Sequence, residues 1–206
     1  MSEVFSLGHL RARLLQTPVA NAFSHGDPRH GDHVLNHDLA DAAARPAAVL
    51  VPLVAHKSGM TVLLTQRASA MRDHSGQIAF PGGKIDAGDG SPLAAALREA
   101  EEEIGLARRH IEPLGYLDPY QTGTGFRIQP VVALVSPPFA LALNTDEVEA
   151  AFEVPLAFLM DPANHLRHSR VWQGRERFYY AMPFGERYIW GATAGILRNL
   201  YERLVS

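Results

Sequence analysis

Cysteine is absent from the 206 residues, which excludes disulfides and thiolate zinc sites. Long apolar runs are missing too, since none approaches the roughly 20 residues of a membrane span. The opening MSEVFSLGHLRARLL carries an early acid and no apolar stretch ending in a small-residue cleavage site, so it does not read as a secretory leader. The final Leu-Val-Ser is no peroxisomal address. An excess of positive charge is lacking as well. The formal net charge of -3 leaves no electrostatic footprint for nucleic acid or an anionic membrane. These absences lead us to expect a cytoplasmic protein with neither nucleic-acid nor membrane partners. The oligomeric state stays open, a homodimer included. What is present is ordinary for a soluble domain: 47% hydrophobic residues, in a chain long enough for one sizeable core.

The pattern along the chain divides it near residue 46. Residues from about Phe5 to Gln16 read as a helix with Leu7, Leu10 and Leu14 on one side. The stretch SHGDPRHGDHVLNHD, residues 24 to 38, reads as a tether. Its His25, His30, His33 and His37 have donor atoms for a metal, but no pair has helical spacing together with a fixed partner, and a solvated linker is the simpler reading. From Ala47 the texture changes. AAVLVPLVA and TVLLTQ, separated by HKSG, predict paired strands, and Ile78 to Phe80 a short strand ending at a Gly-Gly turn. A helix should begin near Ser91 and Pro92 and end at Gly105. Strands are expected around 114–117, 126–135 and 151–154, then a helical turn at PLAFLMD. Two more flank the turn QGRE, and an amphipathic helix from Ala192 to Val205 closes the chain with Ile196, Leu197, Leu200 and Leu204 inward. With no repeats and no second core, residues 47–206 read as one α/β domain with a mixed sheet.

Within that domain, LREAEEEIG, Leu97 to Gly105, crowds acids at a helix C-terminus. The helix dipole disfavours anions there, and like charges three or four apart repel. At 100° per residue Glu99, Glu102 and Glu103 share one face. Glu101 points elsewhere, and Leu93, Leu97, Ala100 and Ile104 form a separate docking face. Arg98 can pair with Glu102 at i+4. An Ala/Glu helix is often no more than a solvated surface. Here the acids follow Gly82 and Gly83, where backbone can approach a ligand, and a bound hard cation with oxygen ligands would remove the repulsion. The acids read as a metal cradle.

The segment GGKIDAGDGSPLAAALREAEEEIGL, Gly82 to Leu106, resembles the Nudix box, G-x5-E-x7-R-E-U-x-E-E-x-G-U. Arg98, Glu99, Glu102, Glu103, Gly105 and Leu106 match its second half. The first half is one residue longer than the pattern, and Asp89 stands where the pattern has Glu. The preceding LLTQRASAMRDHSGQIAFPGG, Leu63 to Gly83, resembles the signature of coenzyme A pyrophosphatases within that family, matching at Arg67, Arg72, His74, Gly76, Gln77 and Phe80. The resemblance implies a Nudix-type α/β/α sandwich and hydrolysis of the diphosphate bond of coenzyme A or its derivatives, giving 3′-phospho-AMP and (acyl-)4′-phosphopantetheine. It implies Mg²⁺ or Mn²⁺ held by Glu99, Glu102, Glu103 and the carbonyl of Gly82.

Arg67, Arg72 and Lys84 supply cations for the phosphates, although the arginines would also suit surface ion pairs. His74 either binds phosphate, orients backbone or is structural. Thr122 to Gly125 is a substrate-approaching loop or a hairpin turn. The general base is a glutamate of the box or an acid from a later loop, for which Glu147 is the candidate. Two rivals stand beside this reading. One is a Nudix hydrolase of ADP-ribose, a dinucleotide or a nucleoside triphosphate; the other is a noncatalytic ligand-binding module.

Overall fold

Leu50, Val51, Leu53 and Val54 are all fully buried, although successive side chains of a strand point to opposite faces. The sheet through them must therefore be covered on both sides. The computed structural model describes residues 6–19, 29–37, 44–69 and 75–205. In chain order these form α1 (Leu7–Arg13), β1 (His30–Gly31), α2 (Asp32–Leu35), β2 (Arg45–His56), β3 (Gly59–Arg67), β4 (Ile78–Ala79) and β5 (Gly82–Lys84). After α3 (Pro92–Ile104) come β6 (Ile111–Tyr116), β7 (Tyr120–Gln121), β8 (Phe126–Val135), β9 (Val148–Pro155) and α4 (Leu156–Leu159). β10 (Leu166–Trp172), β11 (Arg175–Phe184), β12 (Arg187–Trp190) and α5 (Ala192–Val205) complete the chain.

The main sheet runs β1-β7-β8-β2-β3-β4, with β5 also on β2, β6 on β8 and β9 on β3. It is mixed: β2 lies parallel to β8 and antiparallel to β3. Alternation along β2 sends Val51 and Leu53 into one apolar cluster with α5, and Leu50 and Val54 into another with Ala96, Ala100 and Ile104 of α3. Two helical layers on the two faces make this an α/β/α sandwich. The expected single mixed sheet is supplemented by a second, three-stranded antiparallel one, β10-β11-β12. Its first hairpin turns at Gln173 and Gly174, both with positive φ, as a tight two-residue turn requires.

α3 begins and ends where its chemistry dictates. Ser91 Oγ accepts from the Ala94 N–H at 3.1 Å, Pro92 occupies the first turn, and Gly105 closes the helix at φ 66°, a conformation glycine adopts without a Cβ penalty. The buried side is Ala95, Ala96, Ala100, Glu103 and Ile104, with Leu93 and Leu97 only partly covered. One of the acids therefore sits on the docking face itself.

The division at residue 46 does not separate two bodies among the described residues. α1 is capped by Ser6 and buries Leu10 and, just past its end, Leu14 in the core beside α5. Leu15 bridges to Tyr116, and β1 pairs in parallel with β7. Part of the expected tether, residues 29–37, is thus a short strand and a helical turn docked on the domain. A polar, Gly-rich composition predicted a loop, but backbone pairing with a distant strand overrode it. His30 approaches Glu202 at 3.7 Å, and His25 lies outside the described residues.

Candidate active site

The N-terminal end of β5 brings Gly82 and Gly83 against α3, and the cleft that opens there has a volume of about 470 Å³. The Gly82 N–H donates to Glu103 Oε2 at 3.1 Å. A Cβ on Gly83 would lie 2.5 Å from Glu99 Oε1, so only glycine lets the carboxylate come this close to the backbone. Glu99 and Glu103 both line the cleft, and Glu103 is buried. Burial pushes the Glu103 carboxyl up to about 7, with the nearby charges of Glu99 and Glu147 adding to the rise. Burial raises Glu99 as well, against the opposing pull of Arg98.

Arg98 is the clamp of this wall. Its Nη1 donates to Glu99 Oε1 and to Glu102 Oε2, both at 2.9 Å, and its other edge grips Asp89 through Nε at 2.9 Å and Nη2 at 2.8 Å. That two-pronged contact holds the Asp89 carboxyl well below the usual range, at about 2. Asp89 also accepts from the Asp86 N–H at 2.8 Å. It therefore ties the lengthened loop before α3 to the helix, away from the cleft. Glu102 is exposed at the rim, held by Arg98, and does not line the cleft. Glu101 is exposed and meets Arg108 at 3.3 Å.

The upstream segment supplies the cation. A register shift between Gln66 and Arg67 re-aims the strand end, and Arg67 enters the cleft near Glu103. Its Nε is buried and, among the described residues, finds no acceptor. Gln77 fixes the backbone here, its carbonyl accepting from the Arg67 N–H at 2.9 Å. Lys84 is exposed at the edge of the cleft, and Phe80 lines it. Glu147 lines it too, positioned by a 3.1 Å bond from Asn144 Nδ2 to its Oε1 and by the Ala68 N–H on its carbonyl. Arg72 and His74 lie outside the described residues.

Four cleft residues had no local signal in the sequence: Asp32, Arg170, Trp190 and Thr193. Asp32 accepts from the Tyr120 hydroxyl at 2.8 Å and the Gly123 N–H at 2.7 Å. Burial raises its carboxyl, and those two bonds pull it back. It thereby holds the Thr122–Gly125 turn, which is both the hairpin between β7 and β8 and a lining of the cleft through Thr122 and Thr124. TGTG is thus a hairpin turn that also lines the cleft.

Among the described residues no three His, Asp or Glu side chains converge on one point. The donor chemistry nevertheless suits a hard divalent cation. It consists of oxygens only, the carboxylates raise one another's pKa, and a glycine approach leaves Glu99 close to the backbone.

The NUDIX domain model matches residues 44–177. The uncharacterized Nudix hydrolase NudL of Cronobacter sakazakii is 41% identical over 164 residues, covering 76% of this chain and 81% of that protein. Its namesake in Escherichia coli K12 is 38% identical over 173 residues, covering 84% and 86%. Among solved structures, DR0079 from Deinococcus radiodurans superposes with a TM-score of 0.50 at 12% identity, over 76% of this chain and 83% of that one, and supports the fold. The chain belongs to the Nudix family. It is a Nudix pyrophosphohydrolase, an enzyme class that acts on nucleoside diphosphate derivatives and generally uses divalent metal ions.

Proposed function

We propose that this enzyme hydrolyses the diphosphate bond of coenzyme A or its derivatives, giving 3′-phospho-AMP and (acyl-)4′-phosphopantetheine. The observation that carries the reading is Arg67, a cation whose buried Nε has no acceptor among the described residues, in the same cleft as Glu99, Glu103 and Glu147. A diphosphate supplies what each side lacks: an anion for the arginine and a bridge for a divalent cation. Arg67 also belongs to the segment that resembles the coenzyme A signature, of which Gln77 and Phe80 line the cleft as well.

Glu99, Glu103 and the Gly82 carbonyl, with Glu102 at the rim, would hold Mg²⁺ or Mn²⁺. When bound, such an ion neutralises the diphosphate and lowers the pKa of a water. Arg98 keeps Glu99 in place from behind, without facing the substrate. Arg67 binds a diphosphate oxygen and orients the scissile bond. Glu147, held by Asn144, accepts the proton of the attacking water.

The test is a substrate panel read by mass spectrometry: coenzyme A, an acyl form, ADP-ribose, NADH, a dinucleoside polyphosphate and dGTP, each with Mg²⁺ and with Mn²⁺. Coenzyme A or its acyl form should be preferred and cut within the diphosphate. A clear preference for ADP-ribose or dGTP would replace the substrate and keep the family chemistry.

A further inference from the structure

The cleft has a second recess on the side of the small sheet, about 100 Å³ in volume. It shares Asp32, Thr124, Arg170, Trp190 and Gly191 with the main cleft, so the two are continuous. In the register of this sheet Arg170 pairs with Arg177, His168 with Tyr179 and Ala181 with Trp190. Arg170, Tyr179 and Trp190 therefore stand on one face, while Tyr180, Met182 and Ile189 point the other way into the core.

The Arg170 guanidinium lies over the Trp190 ring, 4.6 Å from its centroid, and Tyr179 braces that ring edge-on at 5.2 Å. Among the described residues Arg170 has this ring partner and no carboxylate partner. A guanidinium stacked on an aromatic face keeps its in-plane N–H donors available, and its orientation is already set. Among the described residues the recess has one carboxylate, Asp32, and Tyr120 and Gly123 donate to its two oxygens.

We propose that Arg170, held by Trp190, is an anion subsite that binds a phosphate group of the substrate other than the diphosphate being cut. The assignment rests on the coenzyme A reading for the identity of that group, its 3′-phosphate. Arg67 then serves the diphosphate and Arg170 the phosphate on the ribose, two cations on two walls of one cleft. Substrates without the extra phosphate lose only the second contact.

Binding decides the proposal and turnover decides the reading beneath it. Adenosine 3′,5′-bisphosphate and AMP are titrated calorimetrically into the wild type and into Arg170→Gln. The wild type should bind the bisphosphate about 10-fold or more tighter than AMP, the scale of one charge-assisted hydrogen bond. Arg170→Gln should bind the two alike, with its AMP affinity unchanged. Trp190→Phe should retain most of the preference. Equal binding of both probes by the wild type, or full discrimination by Arg170→Gln, overturns the subsite. In turnover, kcat/KM of Arg170→Gln should fall on coenzyme A and stay level on dephospho-coenzyme A. If the wild type discriminates through Arg170 yet fails to cut coenzyme A, the subsite stands and the substrate assignment falls.

Discussion

On one wall of the cleft α3 presents Glu99 and Glu103 to a glycine turn, with Arg98 clamping from behind. On the other, β10–β12 present Arg170 over Trp190, with Asp32 holding the adjoining turn. The first wall is strained by its own charges: a buried acid, Glu103, beside a half-buried one, Glu99, a repulsion that a bound cation would relieve. On the second, Asp32 has a donor on each oxygen and Arg170 is already stacked on Trp190. A chemical centre and a recognition surface make these opposite demands, because a metal site gains from donors that repel one another when empty. Recognition gains from groups already in place.

The largest effect should come from the strained wall. Glu103→Gln with saturating Mg²⁺ should lower kcat by more than about 100-fold, the upper range for losing a metal-site supporting group. Its metal-free form should be at least as stable as the wild type at pH 8, because a buried charge has been removed. Turnover near the wild-type level would break the metal-cradle assignment.

The same residue sets a pH signature. With its carboxyl raised from the usual range to about 7 in the folded chain, the fold binds this proton more tightly than the unfolded chain does. Stability in the presence of chelator should therefore be greatest below about pH 4.5 with respect to this group, and fall as pH rises through 7. The loss is up to about 3 kcal/mol. Urea unfolding of wild type and Glu103→Gln in EDTA across pH 5 to 8 isolates it: the difference between them should change with pH. A parallel pair of curves would mean that Glu103 carries no burial penalty.

The second wall predicts the reverse behaviour, a loss of stability when a charge is removed. Asp32→Ala leaves the Tyr120 hydroxyl and the Gly123 N–H without their acceptor, which should cost about 1–3 kcal/mol. Asp32→Asn, which keeps one acceptor oxygen, should cost less. A change within the error of the urea measurement would detach residues 29–37 from the wall.

The contrast between the walls also explains what could be read from the chain. α3, with Ser91, Pro92 and Gly105 at its ends, and the long strands β2, β3 and β8 all advertise themselves through local periodicity and capping. The acids of the first wall lie within one helix, so helical geometry alone brings Glu99 and Glu103 to one face. It also places Glu102 there, but Arg98 draws that side chain to the rim. The second wall is assembled from distance. Asp32 meets partners 88 and 91 residues away, β1 and β7 have two residues each, and Arg170 meets Trp190 only across β11. Two-residue strands carry no period to detect, and a lone tryptophan near the end of a strand has no spacing that predicts its neighbour. Asp89 falls between these cases: its position in the box was visible, but its use as an anchor for Arg98 follows from a loop conformation that one extra residue had made unpredictable.

The smallest expected effect tests the register of the first wall. Glu101 lies in the same run of acids, but the helix turns it to solvent, where its side chain is 53% exposed and pairs with an equally exposed Arg108. Such a pair is worth at most about 1 kcal/mol and is screened by salt. Glu101→Gln should therefore leave kcat and KM within about twofold of wild type, and shift the urea midpoint marginally in low salt and not at all in high salt. The comparison with Glu103→Gln is informative because the two residues have the same chemistry, are two positions apart and share one helix. Only the direction of the side chain differs. Loss of activity in Glu101→Gln comparable to that in Glu103→Gln would mean that the cation is not held by the face that Gly82 and Gly83 approach.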